Sequence, residues 1–237
     1  MLNETFYLDG VAANSVGILL QEPPKFSAPT PIVEKKRIPG RNGDIIFDTG
    51  AYANRSGKFS CFSLGEDVES TLRGVNQYLF GKSGYRRLET QHDPDHFWMA
   101  RVESGARMEI RNNVLAPYEI TFDCKPQRFL KSGEPRISNS NGGMVVTNHT
   151  GYKAKPLIYI YGVNAGTLKI GMYTIDVLDM TNSPIIIDCE TMDVYSGYSN
   201  LSGSVSMDEF PVLNPGDNKV EFSGVTTVEI IPRWWEL

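Results

Sequence analysis

Pro156-Leu157-Ile158-Tyr159-Ile160-Tyr161 is a short run of branched and aromatic residues that closes on Gly162, which is how a strand half-buried in a sheet reads. Outward from it the pattern recurs. Segments 44–47, 58–64, 97–103, 118–124, 172–178, 184–189, 219–223 and 225–231 are similarly short, and they alternate or are rich in Val, Ile, Tyr, Phe and Thr. Turn formers separate them, including Asn42-Gly43, Asn141-Gly142-Gly143 and Pro215-Gly216. The chain therefore reads as mainly β. One segment departs: Val68, Leu72, Val75, Tyr78 and Leu79 lie along one face of a helix, which predicts a helix over 66–80. Ser63 and Glu66 have the spacing of a capping box, Glu66, Asp67 and Glu69 suit the positive end of the helix, and Gly81 is expected to close it in the left-handed region. Such a stripe needs a sheet face to cover it.

A chain of 237 residues, set against about 150 per domain, holds one large domain or two small ones. Around 127–143 the sequence RFLKSGEPRISNSNGG passes from a strand into a stretch dense in Ser, Asn, Gly and Pro, which favours two. The division expected is 1–131 and 132–237. These parts carry formal charges of +1 and −6, so their surfaces suit different partners.

Hydrophobic residues at 41% and charged residues at 22% exclude disorder and collagen-like repetition. A net charge of −5 gives no bulk attraction to nucleic acid or an anionic membrane. Cys61, Cys124 and Cys189 are too widely spaced for a zinc site and odd in number for a disulfide framework, so they read as reduced, buried thiols. No apolar run approaches the roughly 18 residues of a membrane span, and MLNETFYLDG lacks the shape of a signal peptide. Synthesis in the cytoplasm is the expectation, and Asn54-Arg55-Ser56 and Asn148-His149-Thr150 are then chance matches to the glycosylation pattern.

The search for chemistry returns little. His92-Asp93-Pro94-Asp95-His96 has the composition of a metal site, but Pro94 spoils helical presentation and the run reads as the tip of a β-hairpin. No G-x-S-x-G elbow, phosphate loop or dinucleotide fingerprint is present. Asp176 with Asp179 and Asp188 with Glu190 read as solvated carboxylates rather than a glycosidase pair. No catalytic residue, metal or cofactor is expected. Lys35-Lys36-Arg37 with Arg41, and Arg86-Arg87, have acidic neighbours and suit intersubunit salt bridges or a solvated face. Tyr159, Tyr161, Tyr195, Tyr198, Trp234 and Trp235 suit either packing or a sugar-stacking platform. Four prolines between Pro23 and Pro31 forbid a helix or a central strand, and an extended, exposed arm or surface loop is expected there.

The run Arg37-Ile38-Pro39-Gly40-Arg41-Asn42-Gly43-Asp44, followed by Asp48, Gly50, Tyr52 and Asn54, resembles the N-terminal signature of the distal tail proteins of long non-contractile-tailed phages and prophages. Further landmarks follow in order: Cys61, Tyr78-Leu79-Phe80, Tyr85-Arg86-Arg87-Leu88, Asp93-Pro94-Asp95, and Phe122-Asp123-Cys124-Lys125-Pro126-Gln127-Arg128-Phe129. The second half adds Pro156 to Gly162, Phe210-Pro211-Val212-Leu213-Asn214-Pro215-Gly216-Asp217-Asn218 and Pro232-Arg233-Trp234-Trp235. The resemblance implies an N-terminal β-sandwich with one helix and a projecting arm, and a C-terminal β-sandwich of galectin-like or carbohydrate-module-like shape. It implies a hexameric ring, single or paired, at the distal end of the tail in the virion, assembled in the host bacterial cytoplasm. The implied partners are the major tail tube protein, a tail-tip or fibre protein and baseplate or receptor-binding proteins, with DNA passing unbound through the channel. Lys35, Lys36, Arg37, Pro39, Gly40, Arg41, Asn42, Gly43 and Asp44 are then candidate subunit contacts. Tyr159, Tyr161, Tyr195 and Tyr198 are candidates for peripheral docking or for facing a sugar. The alternative function is that of a carbohydrate-binding adsorption protein recognising cell-wall sugars.

Overall fold

The computed structural model describes residues 4–63, 67–104, 110–111 and 114–237. The chain divides into two compact units, Met1–Arg128 with Leu237, and Phe129–Glu236. It is mainly β, and the described residues hold one α-helix and three short 3-10 turns. Among the described residues no helix is long and apolar enough to cross a membrane.

The first unit is built on a continuous antiparallel sheet. Its strands run in the order Val11–Ala12, Phe6–Leu8, Arg86–Thr90, Asp93–Ser104, Val114–Cys124, Arg55–Ser63 and Ile18–Leu20. Alternation along these strands sends Phe6, Leu8, Phe59, Cys61, Leu88, Trp98, Ile120, Phe122 and Cys124 into one core. At its centre three phenylalanines meet edge to face: Phe59 lies 5.0 Å from Phe6 and 4.9 Å from Phe122 between ring centroids.

The helix Val68–Phe80 buries Val75, Tyr78 and Leu79 against that core, as the sequence stripe requires, while Leu72 is half-buried. Its cap differs from expectation. The Asp67 side chain accepts hydrogen bonds from the backbone N–H groups of Glu69 and Ser70, while the Ser63 hydroxyl ends a strand and pairs with the Tyr118 hydroxyl at 2.7 Å. Glu66 lies outside the described residues. Gly81 is right-handed, φ −66° and ψ −12°, because its N–H continues the helical pattern onto the Gln77 carbonyl. Tyr78 ties the helix to the first hairpin, its hydroxyl donating to the Val11 carbonyl and accepting from the Leu8 N–H.

The second unit is a sandwich of two antiparallel sheets. One runs Ile137–Asn139, Thr227–Ile231, Leu157–Tyr161, Ile185–Asp188, Asp193–Ser196, Ser199–Asn200; the other runs Gly143–Asn148, Gly216–Ser223, Gly166–Ile170, Tyr173–Val177, Val205–Ser206. Ile158, Ile160, Ile185, Ile187, Val228 and Ile230 from the first face Val146, Leu168, Ile170, Ile175, Val177 and Val220 from the second in a single apolar cluster. Trp234 is part of this core, and Trp235 stacks on Tyr152 at 4.6 Å while its Nε1–H donates to the Lys153 carbonyl. Neither tryptophan is free to serve as a platform.

The carboxylates that the sequence raised as acid–base candidates have structural partners here. Asp188 accepts both ends of the Arg233 guanidinium, Asp179 bonds the N–H and hydroxyl of Thr181, and Asp176 accepts from the Thr167 hydroxyl. Asn148 is buried, donating to the carbonyls of Tyr152 and Leu213 and accepting from Thr150, so it pins a loop.

Candidate assembly interface

The proline-rich run divides: most of it lies along a sheet edge, and only its end, Thr30-Pro31, enters the arm. Lys25–Phe26 pairs with the strand Arg55–Ser63, and the flanking Gln21 and Ser27 N–H groups reach the carbonyls of Ser60 and Ser56. Phe26 turns inward and stacks on Trp98, centroids 4.3 Å apart. Proline suits such an edge because the missing N–H leaves no ladder bond unmade on the solvent side.

The arm is the strand Thr30–Lys36, which takes in the last proline of the run, paired with Ile45–Ala53 as a separate two-stranded sheet. Register pairs Glu34 with Phe47, Lys35 with Ile46 and Lys36 with Ile45, with an irregularity between Pro31 and Val33. Every residue of Thr30–Lys36 is exposed. Ile46 and Phe47 are 59% and 52% exposed, and Ile32, Val33 and Ile38 are exposed as well. Consecutive residues of a strand point to opposite faces, so Ile46 and Phe47 make both faces of the hairpin apolar. A two-stranded hairpin with no core beneath it is marginal in water, and its apolar side chains ask for a covering surface.

The sequence-predicted contact residues lie together at the far end. Residues 37–44 form the connection, with Gly40 and Gly43 both at positive φ, +78° and +79°, and the Arg41 N–H on the Ile38 carbonyl. Lys35, Lys36, Arg37, Arg41 and Asp44 form no ion pair within the chain among the described residues, and nothing in the fold consumes their charge. The apolar part of this surface is not among the sequence-predicted contacts. Its signal was Ile45-Ile46-Phe47, three apolar residues in a row where a half-buried strand alternates.

The second candidate group divides. Tyr159 is opposite Ile186, and Ile186 opposite Tyr195, so Tyr159 and Tyr195 stand on one outer sheet face two strands apart, and Tyr161, two residues along, shares it. The Arg136 guanidinium lies 3.9 Å from the Tyr159 ring centroid and donates to Glu229, which also accepts from the Tyr161 hydroxyl. Burial, and then the Glu229 carboxylate, hold the Tyr161 phenol above its ordinary pKa. Tyr198 is fully exposed on the turn between Asp193–Ser196 and Ser199–Asn200.

The histidine-rich run likewise resolves into local structure. The turn is Gln91-His92, and Asp93 to His96 already belong to the strand Asp93–Ser104. Asp93 is engaged on both oxygens, with His96 Nδ1 at 2.6 Å and Arg128 Nη1 at 3.2 Å. No group of three or more His, Cys, Asp or Glu among the described residues is arranged to hold a metal ion.

The described residues thus present two compact β units and a separate hairpin with apolar side chains exposed on both faces. No family model matches the chain, and no curated protein matches it significantly. Among solved structures it is similar over 99% of both chains, with a TM-score of 0.73 and 15% identity, to the crystal structure of the SPP1 Dit (gp 19.1) protein, described as a paradigm of hub adsorption apparatus in Gram-positive-infecting phages. The chain has the fold of that hub protein from end to end, which agrees with the family resemblance read from its motifs.

Proposed function

We propose that this chain is a structural phage tail protein, the hub between the tail tube and the tail-tip, baseplate and adsorption proteins. The observation that carries this reading is the full-length fold match to a hub adsorption protein. In the finer form of the proposal, six first units close into a ring at the distal end of the virion tail, singly or as paired rings, and DNA crosses its channel without being specifically bound. Assembly takes place in the host cytoplasm. The domains are 1–131 for ring formation and 132–237, galectin-like in shape, for peripheral docking.

The hairpin supports this reading physically. A ring requires head-to-tail contacts that close, and an arm with two apolar faces and unspent charge at its tip supplies one half of such a contact. Covering Ile32, Ile38, Ile46 and Phe47 would remove apolar surface from water at roughly 25 cal/mol per Å². On the second unit, the guanidinium over Tyr159 occupies the ring face that a sugar would stack on, which favours protein docking over carbohydrate binding.

The test is the absolute mass of the purified protein by light scattering on size exclusion, with negative-stain imaging of the main peak. A mass of six or twelve chains with annular particles is expected. A strict monomer that also fails to join isolated tail tubes would overturn the hub reading.

A further inference from the structure

A second site lies in the first unit, lined by residues outside the hairpin, and it does not depend on the hub reading. A cavity of about 260 Å³ is lined by Phe26, Arg55, His92, Asp93, Trp98 and Arg128, among others. Trp98 is only 3% exposed, yet its indole Nε1–H is buried without an acceptor, and the Arg55 Nε–H is in the same condition. Buried donors of this kind are uncommon, because each gave up water and gained nothing in return. Arg55 is also half-buried over the Phe26 ring, 5.5 Å from its centroid, with no carboxylate partner among the described residues. Burial lowers its pKa, and the neighbouring Arg128 charge acts in the same direction, while Cys124 opposes it. Of the two carboxylates in the lining, Asp93 is already shared between His96 and Arg128, and the terminal carboxylate of Leu237 reaches neither the Trp98 indole N–H nor the Arg55 Nε–H.

We propose that this cavity is an oxyanion-binding site, taking a carboxylate or phosphate group between Arg55 and Trp98. The donor set selects the ligand. A metal cation meets guanidinium charge, and a neutral hydroxyl could accept from an N–H but would leave the Arg55 charge uncompensated. An oxyanion answers both needs, accepting from the indole and guanidinium N–H groups while it neutralises the cation. The space suffices, since a water molecule takes about 30 Å³ and the cavity is several times larger. The Phe26–Trp98 stack forms a flat apolar wall that keeps the charge pair out of bulk water, where it would be weak.

The experiment follows the indole N–H resonance of Trp98 in ¹⁵N-labelled protein, assigned with Trp98→Phe. Inorganic phosphate and sodium acetate are titrated separately at constant ionic strength, with chloride as the reference salt. A saturable shift of the Trp98 resonance is expected with at least one of them, while the Trp234 and Trp235 indoles stay in place. The arm that saturates at lower concentration tells whether phosphate or carboxylate is the better ligand. Arg55→Gln is expected to weaken that binding by about tenfold or more with the rest of the spectrum retained. Should Arg55→Gln fail to fold, Arg55→Lys, which keeps the charge but loses the fork, is expected to weaken it as well. Absence of a saturable shift with both anions, or an undiminished one in the folded Arg55 variant, would overturn the proposal.

Discussion

Arg233 grips Asp188 with both ends of its guanidinium, Nη1 to Oδ1 at 2.6 Å and Nη2 to Oδ2 at 2.9 Å. The same carboxylate accepts the backbone N–H groups of Glu190 and Thr191. Burial by itself raises the Asp188 pKa, but the Arg233 bonds and charge, together with the two N–H groups, outweigh it and hold the carboxyl below its ordinary value. The contribution to stability is therefore complete above the unfolded value of about 3.9 and fades as pH falls through the lower folded value. Arg233→Met leaves a buried carboxylate short of its partner and is expected to cost about 2–3 kcal/mol near neutral pH. Urea denaturation across pH checks this: the gap between variant and wild type should close in strong acid, and a gap that does not depend on pH would show packing loss instead of a charge pair.

The arm makes a different kind of prediction, because its residues support no core. Ile46→Asp with Phe47→Asp should leave the chain folded, with a stability change within about 0.5 kcal/mol, since both side chains are exposed. Arg41→Glu is expected to behave likewise. All three changes should shift the light-scattering mass toward the monomer if the hairpin is a subunit contact. Variants that keep the wild-type mass would remove the hairpin from the interface.

Strands were legible where one face is buried. Leu157–Tyr161 and Gly216–Ser223 alternate visibly, and their buried residues are those the alternation selects. Legibility failed where a decision is tertiary. Ser63 has the right spacing for a cap but is committed to Tyr118 across the sheet, so Asp67 takes the role. The proline-rich run read as an arm or a surface loop along its whole length, yet Phe26 in its middle has a place on Trp98, 72 residues away in sequence, and only Thr30-Pro31 enters the arm. The turn at residues 37–44 was legible from its glycines, while its candidacy as a subunit contact came from the resemblance to a known pattern. The Arg55 cavity left no trace, because Phe26, Arg55, Trp98 and Arg128 come from four separate segments and Arg55 lies inside what looked like a chance glycosylation match. Tyr159 and Tyr161 share a face by alternation, but Tyr195 joins them by register alone, which the sequence could not supply.

Gly133 is required by proximity. A Cβ there would stand 2.3 Å from the Trp234 nitrogen and 3.0 Å from its Cβ, at a crossing where the Arg233 N–H bonds the Gly133 carbonyl. Backbone cannot rotate out of the way as a side chain can, so Gly133→Ala should cost about 1–3 kcal/mol through overpacking. Gly151→Ala, whose Cβ meets nothing within 4 Å, is the control and should be nearly neutral. The comparison is read from denaturant midpoints, and equal midpoints would mean that the chain passes Trp234 less closely than described.

The three thiols report the two units separately. Cys61 and Cys124 are buried in the first core and Cys189 in the second, and burial pushes each thiol up to about 12. The thiolate is the reactive form, so near neutral pH all three should be almost inert to a disulfide reagent in the folded protein, although ordinary cysteines react readily. Reaction then waits on opening of the unit that holds each thiol, and its rate follows that unit's stability. In moderate urea, Cys61 and Cys124 should label together and Cys189 on its own curve, identified by mass spectrometry of the peptides. Arg233→Met should accelerate Cys189 and leave the other two unchanged. Rapid labelling of any thiol without denaturant, or acceleration of all three by Arg233→Met, would refute burial in separate cores.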